Sequence, residues 1–209
     1  MTPAKNIDNY IDEQRQALGK NPECANTHYN LGMGYLTKRM FKEAEEEFNR
    51  AVECSPKLAE AFVQLGGIAL ARGDLDGCLA YNQMAIKSRP FFAVPHANVG
   101  FVHMQRGESD EAIKAFKRAI KHDPNFIQAY SNLSGIHFML GDLDMAAQYA
   151  NKALELEPRF GPAYHNLAMI HIERKEFEKA AECVEKALES NYEVPEKILN
   201  EVAPYRKKA

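Results

Sequence analysis

A carboxamide side chain returns every 34 residues along this chain, as Asn30, Gln64, Asn98, Asn132 and Asn166. Each offers two N–H donors and a carbonyl acceptor. Repeated at a fixed interval, such groups can bond the backbone of an extended peptide whatever its side chains. Asparagine is a poor helix former, so four of them in one column call for a cause. Two uses compete: contact with a ligand backbone, and hydrogen bonding between adjacent repeats.

Histidine forms a second column at the same interval, His103, His137 and His171. A shared zinc ion would need their nitrogens within about 2.0–2.1 Å of it. Equivalent atoms on packed helices stand roughly 8–10 Å apart per helix step. The column therefore reads as half-buried packing residues, with titration near neutral pH as the competing property. Cys24, Cys54, Cys78 and Cys183 form no C-x-x-C pair and share no spacing, unlike a disulfide framework or zinc site. No phosphate loop, G-x-S-x-G or H-E-x-x-H occurs. Glu43, Glu45, Glu46 and Glu47 fall at outward helix spacing and read as a solvated face. No cofactor, metal site or catalytic residue is assigned.

These columns need a scaffold of the same period. Pro22, Pro56, Pro90, Pro124 and Pro158 are also 34 residues apart, the length of one helix–turn–helix unit in stacked arrays. With each proline at position 32, five units result: 25–58, 59–92, 93–126, 127–160 and 161–194. Position 27 is alanine in all five (Ala51, Ala85, Ala119, Ala153, Ala187), and position 20 is Ala44, Cys78, Ala112, Ala146 and Ala180. Position 8 is Gly32, Gly66, Gly100, Ser134 and Ala168. Small residues there let antiparallel helices approach, while larger ones such as Phe62 with Leu65 and Tyr130 with Leu133 fill the space. Gly73, Gly107 and Gly141 mark the turn inside a unit, where a left-handed residue ends the first helix. The fifth unit has Lys175-Glu176 at that turn, and Tyr192 where a proline is expected.

The column pattern resembles the tetratricopeptide repeat (TPR) family, whose signature runs W-x2-L-G-x2-Y…A-x3-F…P. The likeness covers residues 25–194. It departs at the tryptophan column, which holds His28, Phe62, His96, Tyr130 and Tyr164, and at the position-24 aromatic, kept only as Phe48 and Phe116. The resemblance implies an all-α, right-handed superhelical solenoid of helix–turn–helix repeats with capping helices. Residues 1–24 read as an N-terminal half repeat, with Tyr10 and Ala17 in the position-20 and position-27 columns. Residues 195–209 read as a final capping helix followed by a frayed, solvated basic tail, Arg206-Lys207-Lys208.

In this family the first helices line a concave groove, and the carboxamide column resembles the asparagine ladder of O-linked N-acetylglucosamine transferases. The resemblance implies a peptide site made of Asn30, Gln64, Asn98, Asn132 and Asn166 for backbone, with Tyr29, Met33, Phe101, Met104, Phe138 and Met169 for apolar side chains. Only Glu60 and Glu173 bring formal charge to the groove positions. Four of the eight methionines lie there, and methionine suits surfaces that accept varied apolar partners. No frame of three repeats supplies the cations of the carboxylate clamp used by TPR co-chaperones, so a chaperone tail is not expected as partner. Replacing Asn98 and Asn132 by alanine is expected to abolish capture and leave the melting temperature nearly unchanged.

The implied function is a non-catalytic adaptor, scaffold or assembly factor holding a protein or peptide partner in its groove. The alternative is a self-assembling homo-oligomer that docks a terminal helix, residues 5–19, in a neighbour's groove, as in magnetosome-associated TPR proteins. A net charge of −3 argues against nucleic acid. The absence of an 18-residue apolar run argues against membrane insertion. The reduced thiols and the lack of a secretory signal at the start point to the cytoplasm.

Overall fold

Two kinds of joint alternate along the chain, and each has its own residue chemistry. The computed structural model describes residues 3–206, with side chains from residue 7 onward. Among these residues the helices are α1 (Pro3–Lys20), α2 (Ala25–Thr37), α3 (Phe41–Cys54), α4 (Ala59–Ala71), α5 (Leu75–Ser88) and α6 (Ala93–Gln105). Then follow α7 (Ser109–His122), α8 (Ile127–Met139), α9 (Leu143–Leu156), α10 (Gly161–Glu173), α11 (Phe177–Glu189) and α12 (Glu196–Val202). A 3-10 turn over Ala203–Tyr205 comes last. No strand occurs among the described residues, so the fold is all-α.

The joint inside each hairpin places one residue in the left-handed region. Gly73, Gly107 and Gly141 do so at φ of 77°, 74° and 78°. Arg39 and Lys175 hold the same place at 59° and 60°. The fifth unit thus keeps the turn without its glycine, at the steric cost that a Cβ brings there. The joint between hairpins is a β-turn with proline at its second position, where a fixed φ is preset. It closes from Leu58 N–H to Ser55 C=O at 3.0 Å, and from Phe92 to Arg89, Phe126 to Asp123 and Phe160 to Glu157 at 3.1 Å each.

Each of these proline carbonyls also accepts from a side chain. Tyr130 and Tyr164 donate their hydroxyls to Pro124 and Pro158 at 3.1 and 3.0 Å. His28 and His96 place Nε2 at 2.8 and 3.0 Å from Pro22 and Pro90, so that nitrogen carries the hydrogen. Phe62 has no donor, and Pro56 is reached instead by the Ser88 hydroxyl at 3.3 Å, which also lies 2.9 Å from the Met84 carbonyl. Four of the five residues that replace the family's tryptophan are therefore polar-tipped for a reason.

The chain divides into two compact units, Met1–Val102 and His103–Ala209. In the first, α2 pairs with α3 and α4 with α5, and α1 packs on α2. Its core joins Leu31, Tyr35, Phe48, Phe62, Leu65 and Ile68 across the alanine columns. Gly32 leaves room for the Phe48 ring, whose nearest atom would stand 2.7 Å from an added Cβ. On α1 the buried residue is Ile11, 5% exposed, with Leu18 packed beside it. Ala17 is exposed and Tyr10 only half-buried. The expected Tyr10/Ala17 register is therefore displaced by one residue: Ile11 Cγ1 sits deepest over Gly34, 2.9 Å from an added Cβ, with Tyr10 Cδ1 at 3.5 Å.

In the second unit α8 pairs with α9 and α10 with α11. Leu133, Ile136, Ile170 and Val184 are fully buried with the position-20 and position-27 alanines. Ile198 and Val202 of α12 close this core over Val184 and Ala187, with Leu199 against it. Tyr205 stacks on Phe177 with ring centroids 4.9 Å apart. Arg206 is half-buried and donates Nε–H to Glu185 at 2.5 Å. The expected fraying fails at Arg206, because this carboxylate holds it; Lys207 and Lys208 lie outside the described residues.

Candidate peptide-binding groove

The five carboxamides sit at the same turn of α2, α4, α6, α8 and α10, all half-buried. Their hydrogen bonds differ. Asn98 donates from Nδ2 to Oδ1 of Asn82 at 2.9 Å. Asn82 is fully buried at position 24, where the family carries an aromatic residue, and it donates in turn to the Cys78 carbonyl at 2.8 Å. Gly66 provides the space, since an added Cβ would stand 2.4 Å from Asn82 Nδ2. Asn166 donates to the Ser131 carbonyl at 2.9 Å. Gln64 is a hydrogen-bond partner of the Tyr29 hydroxyl. Asn30 and Asn132 make no side-chain hydrogen bond among the described residues.

The column is thus divided between inter-repeat bonding and open amides. This corrects the expectation for Asn98. Removing its amide would strand a buried acceptor on Asn82, so a lower melting temperature is expected instead of an unchanged one. Nothing in the sequence marks Asn82 except its polarity at an aromatic position.

In the first unit Tyr29 and Met33 pack against the core. The Tyr29 ring centroid lies 5.7 Å from that of Phe48, and burial pushes its phenol pKa up. These two are at least partly structural. Phe101, on α6, is half-buried.

In the second unit the structure brings Met104, Asn132, Phe138, Asn166 and Met169 together around one cavity of about 360 Å³. Ser131, Gly135, Met139, Pro162 and Tyr192 complete its lining. None of the ten carries a formal charge. Tyr192 occupies the fifth unit's proline place. Its Cβ would stand 2.3 Å from a Cβ added at Gly161, and its ring centroid is 5.5 Å from that of His165. Burial pulls the His165 pKa below its usual value, and its Nδ1 is buried without a partner.

The histidine column serves the turns. His103 Nδ1 lies 2.5 Å from Glu108, His171 Nδ1 2.6 Å from Glu176, and His137 Nδ1 3.5 Å from Asp142. The backbone N–H of each acid also donates to the carbonyl of the same histidine, at 2.8–2.9 Å. Among the described residues no cluster of three or more His, Cys, Asp or Glu is arranged for a metal ion. The outward acidic run is less solvated than expected. Glu45 receives Arg72 in a two-pronged ion pair at 2.6 and 2.9 Å, and Glu47 sits 2.6 Å from His28 Nδ1.

Tetratricopeptide repeat models match residues 15–59 and 102–164, and a second such model matches 140–196. The chain belongs to the tetratricopeptide repeat family. No curated protein matches this TPR chain significantly in sequence. Among solved structures it is similar to MamA, at 22% identity over 77% of this chain and 94% of that one, with a TM-score of 0.66. It is similar to YrrB, described as a TPR protein with an unusual peptide-binding site, at 17% identity over 91% and 97%, with a TM-score of 0.69. PilW, a type IV pilus biogenesis factor, aligns at 20% identity over 87% and 85%, with a TM-score of 0.76. At these identities the likeness establishes the TPR fold. Among the described residues no helix is long and apolar enough to cross a membrane.

Proposed function

We propose that this TPR chain is a non-catalytic interaction protein that holds a peptide segment of a partner in the groove of its first helices. The observation that carries this reading is the cavity of the second unit, where the unbonded Asn132 amide stands among uncharged apolar side chains. An amide with both donors and its acceptor free satisfies peptide backbone, and the apolar walls take side chains. Asn30 is the corresponding open amide of the first unit. The lack of cations at the clamp positions argues against an acidic chaperone tail, because its carboxylates would be buried unpaired.

Self-assembly through residues 5–19 is set second. Ile11 is buried against α2 of its own chain, and exchange would first expose it. Comparing the size in solution of the whole chain with that of a chain lacking residues 1–21 tests this: a monomer in both cases rules it out. The groove reading is tested by capture from native extract, comparing the unaltered protein with Asn132→Ala and Asn30→Ala together. Capture that survives both replacements refutes it.

A further inference from the structure

The groove cavity exists because one side chain is missing. Position 9 of the repeats reads Met33, Gly67, Phe101, Gly135 and Met169. In the second unit Gly135 lies in the middle of α8 at the cavity lining, and a Cβ built on it meets no heavy atom within 4 Å. A mid-helix glycine costs about 0.8–1.0 kcal/mol relative to alanine. Gly135 is not needed for a close helix approach, since nothing is near it, nor for a left-handed backbone, since it is not among the positive-φ glycines. What it supplies is empty space, bounded by Met104, Phe138, Met139, Met169 and Tyr192.

Two further features define what fits the space. Every lining residue is uncharged, and His165 behind Tyr192 is held toward its neutral form by burial. A charged side chain entering here would lose part of its hydration without a counter-ion, which is unfavourable. The polar groups that remain are amides: Asn132 is unbonded, and Asn166 keeps its carbonyl oxygen after donating Nδ2 to Ser131. These suit peptide backbone on either side of an anchoring residue.

We infer that Gly135 makes an anchor pocket for a single large uncharged side chain, of the leucine, methionine or phenylalanine class, in a peptide whose backbone is read by Asn132 and Asn166. This inference rests on the groove reading above and adds its selectivity. The methionines provide the readout. Met104, Met139 and Met169 line the pocket, whereas Met33, Met40 and Met84 belong to the first unit and Met145 lies on α9.

The experiment uses the full chain labelled with 13C at its methionine methyls. It is titrated with blocked pentapeptides, Ac-Ala-Ser-Phe-Ser-Ala-NH2 and its versions with leucine, glutamate or lysine at the centre. The phenylalanine and leucine probes are expected to shift the three pocket methyls saturably and to leave Met33, Met84 and Met145 in place. The glutamate and lysine probes are expected to bind at least about tenfold more weakly. Gly135→Leu, which has open space for its side chain and a better helix propensity, should melt no lower than the unaltered protein. It should lose the pocket shifts, by about tenfold or more in affinity. Equal binding of the charged probes overturns the pocket's selectivity while leaving the groove reading intact. Shifts that persist in Gly135→Leu, or that fall on first-unit methionines, overturn the assignment of the pocket. Absence of shifts with every probe overturns the anchor pocket, and the capture experiment with Asn132 and Asn30 then decides the groove reading separately.

Discussion

Replacing Asn98 by alanine tests how far the carboxamide column is structural. The change removes the donor to Asn82 Oδ1, an acceptor on a side chain with no exposed surface. A buried acceptor left without a partner costs about 1–3 kcal/mol. Alanine returns up to about 0.7 kcal/mol of helix propensity, so the net loss is roughly 0.3–2.3 kcal/mol. For a chain of this length each kcal/mol moves the melting temperature by about 2–4 °C. The expected drop is therefore on the order of 1–10 °C, read by circular dichroism at 222 nm and checked by urea unfolding. Asn132→Ala is the control: with no partner to strand, it should melt no lower than the unaltered protein and gain at most about 0.7 kcal/mol of helix propensity. Asn82→Leu combined with Asn98→Ala removes donor and acceptor together and should recover most of the loss, since replacing both partners by apolar groups can be nearly neutral. If Asn98→Ala melts with Asn132→Ala, the Asn82–Asn98 bond contributes nothing and the division of the column is wrong.

Lys175→Gly should stabilise the protein by about 0.5–1 kcal/mol in urea titrations, because Lys175 holds a left-handed φ of 60° on an exposed turn. Burial pushes the Cys183 thiol up to about 11 from 9.0, so at pH 8 its thiolate fraction falls about a hundredfold; mass-mapped iodoacetamide labelling should mark exposed Cys54 and spare Cys183. The Glu176 carboxyl is held below its usual range, first by Lys179 and then by His171. A depressed folded value means that its contribution is complete above the unfolded carboxyl pKa of about 4.3 and is lost as pH falls through the folded value. Glu176→Gln should accordingly flatten the acid side of the stability profile below that pH and leave the profile above pH 6 parallel to that of the unaltered protein.

The parts of the fold legible in the sequence are those where residue size dictates distance. The alanines of positions 20 and 27 and the glycines of position 8 announce close helix approach, and the helices meet there. At Lys175 the place of the turn is legible from the period but its left-handed backbone is not, because it is held by bonds within its own hairpin, Lys175 N–H to Ile172 and Glu176 N–H to His171, rather than chosen by the residue. The α1 register is illegible because α1 packs on α2 outside the five-unit frame, and Ile11 rather than Tyr10 sits deepest over Gly34. At the site, the carboxamide column is visible, yet its split into spent and open amides is not. That split depends on Asn82, 16 residues away from Asn98 and unremarkable in isolation. Gly135 carries no signal in one sequence either, since a missing side chain becomes a cavity only when its surroundings are known.

The bonds to the proline carbonyls also fix where this chain can be cut and rejoined. The turn and the ring that reads it are split by a boundary drawn just before a first helix, between Phe126 and Ile127. A segment taken from Asp123 to Leu156 instead keeps the Asp123–Phe126 turn, the Tyr130–Pro124 bond and the His137–Asp142 pair within one piece. Such a cassette carries its own joint, so a duplicated copy would arrive with its docking instructions to the preceding hairpin already attached. Lengthening or shortening the array by whole cassettes that begin at the residue before proline should be better tolerated than exchange at helix ends.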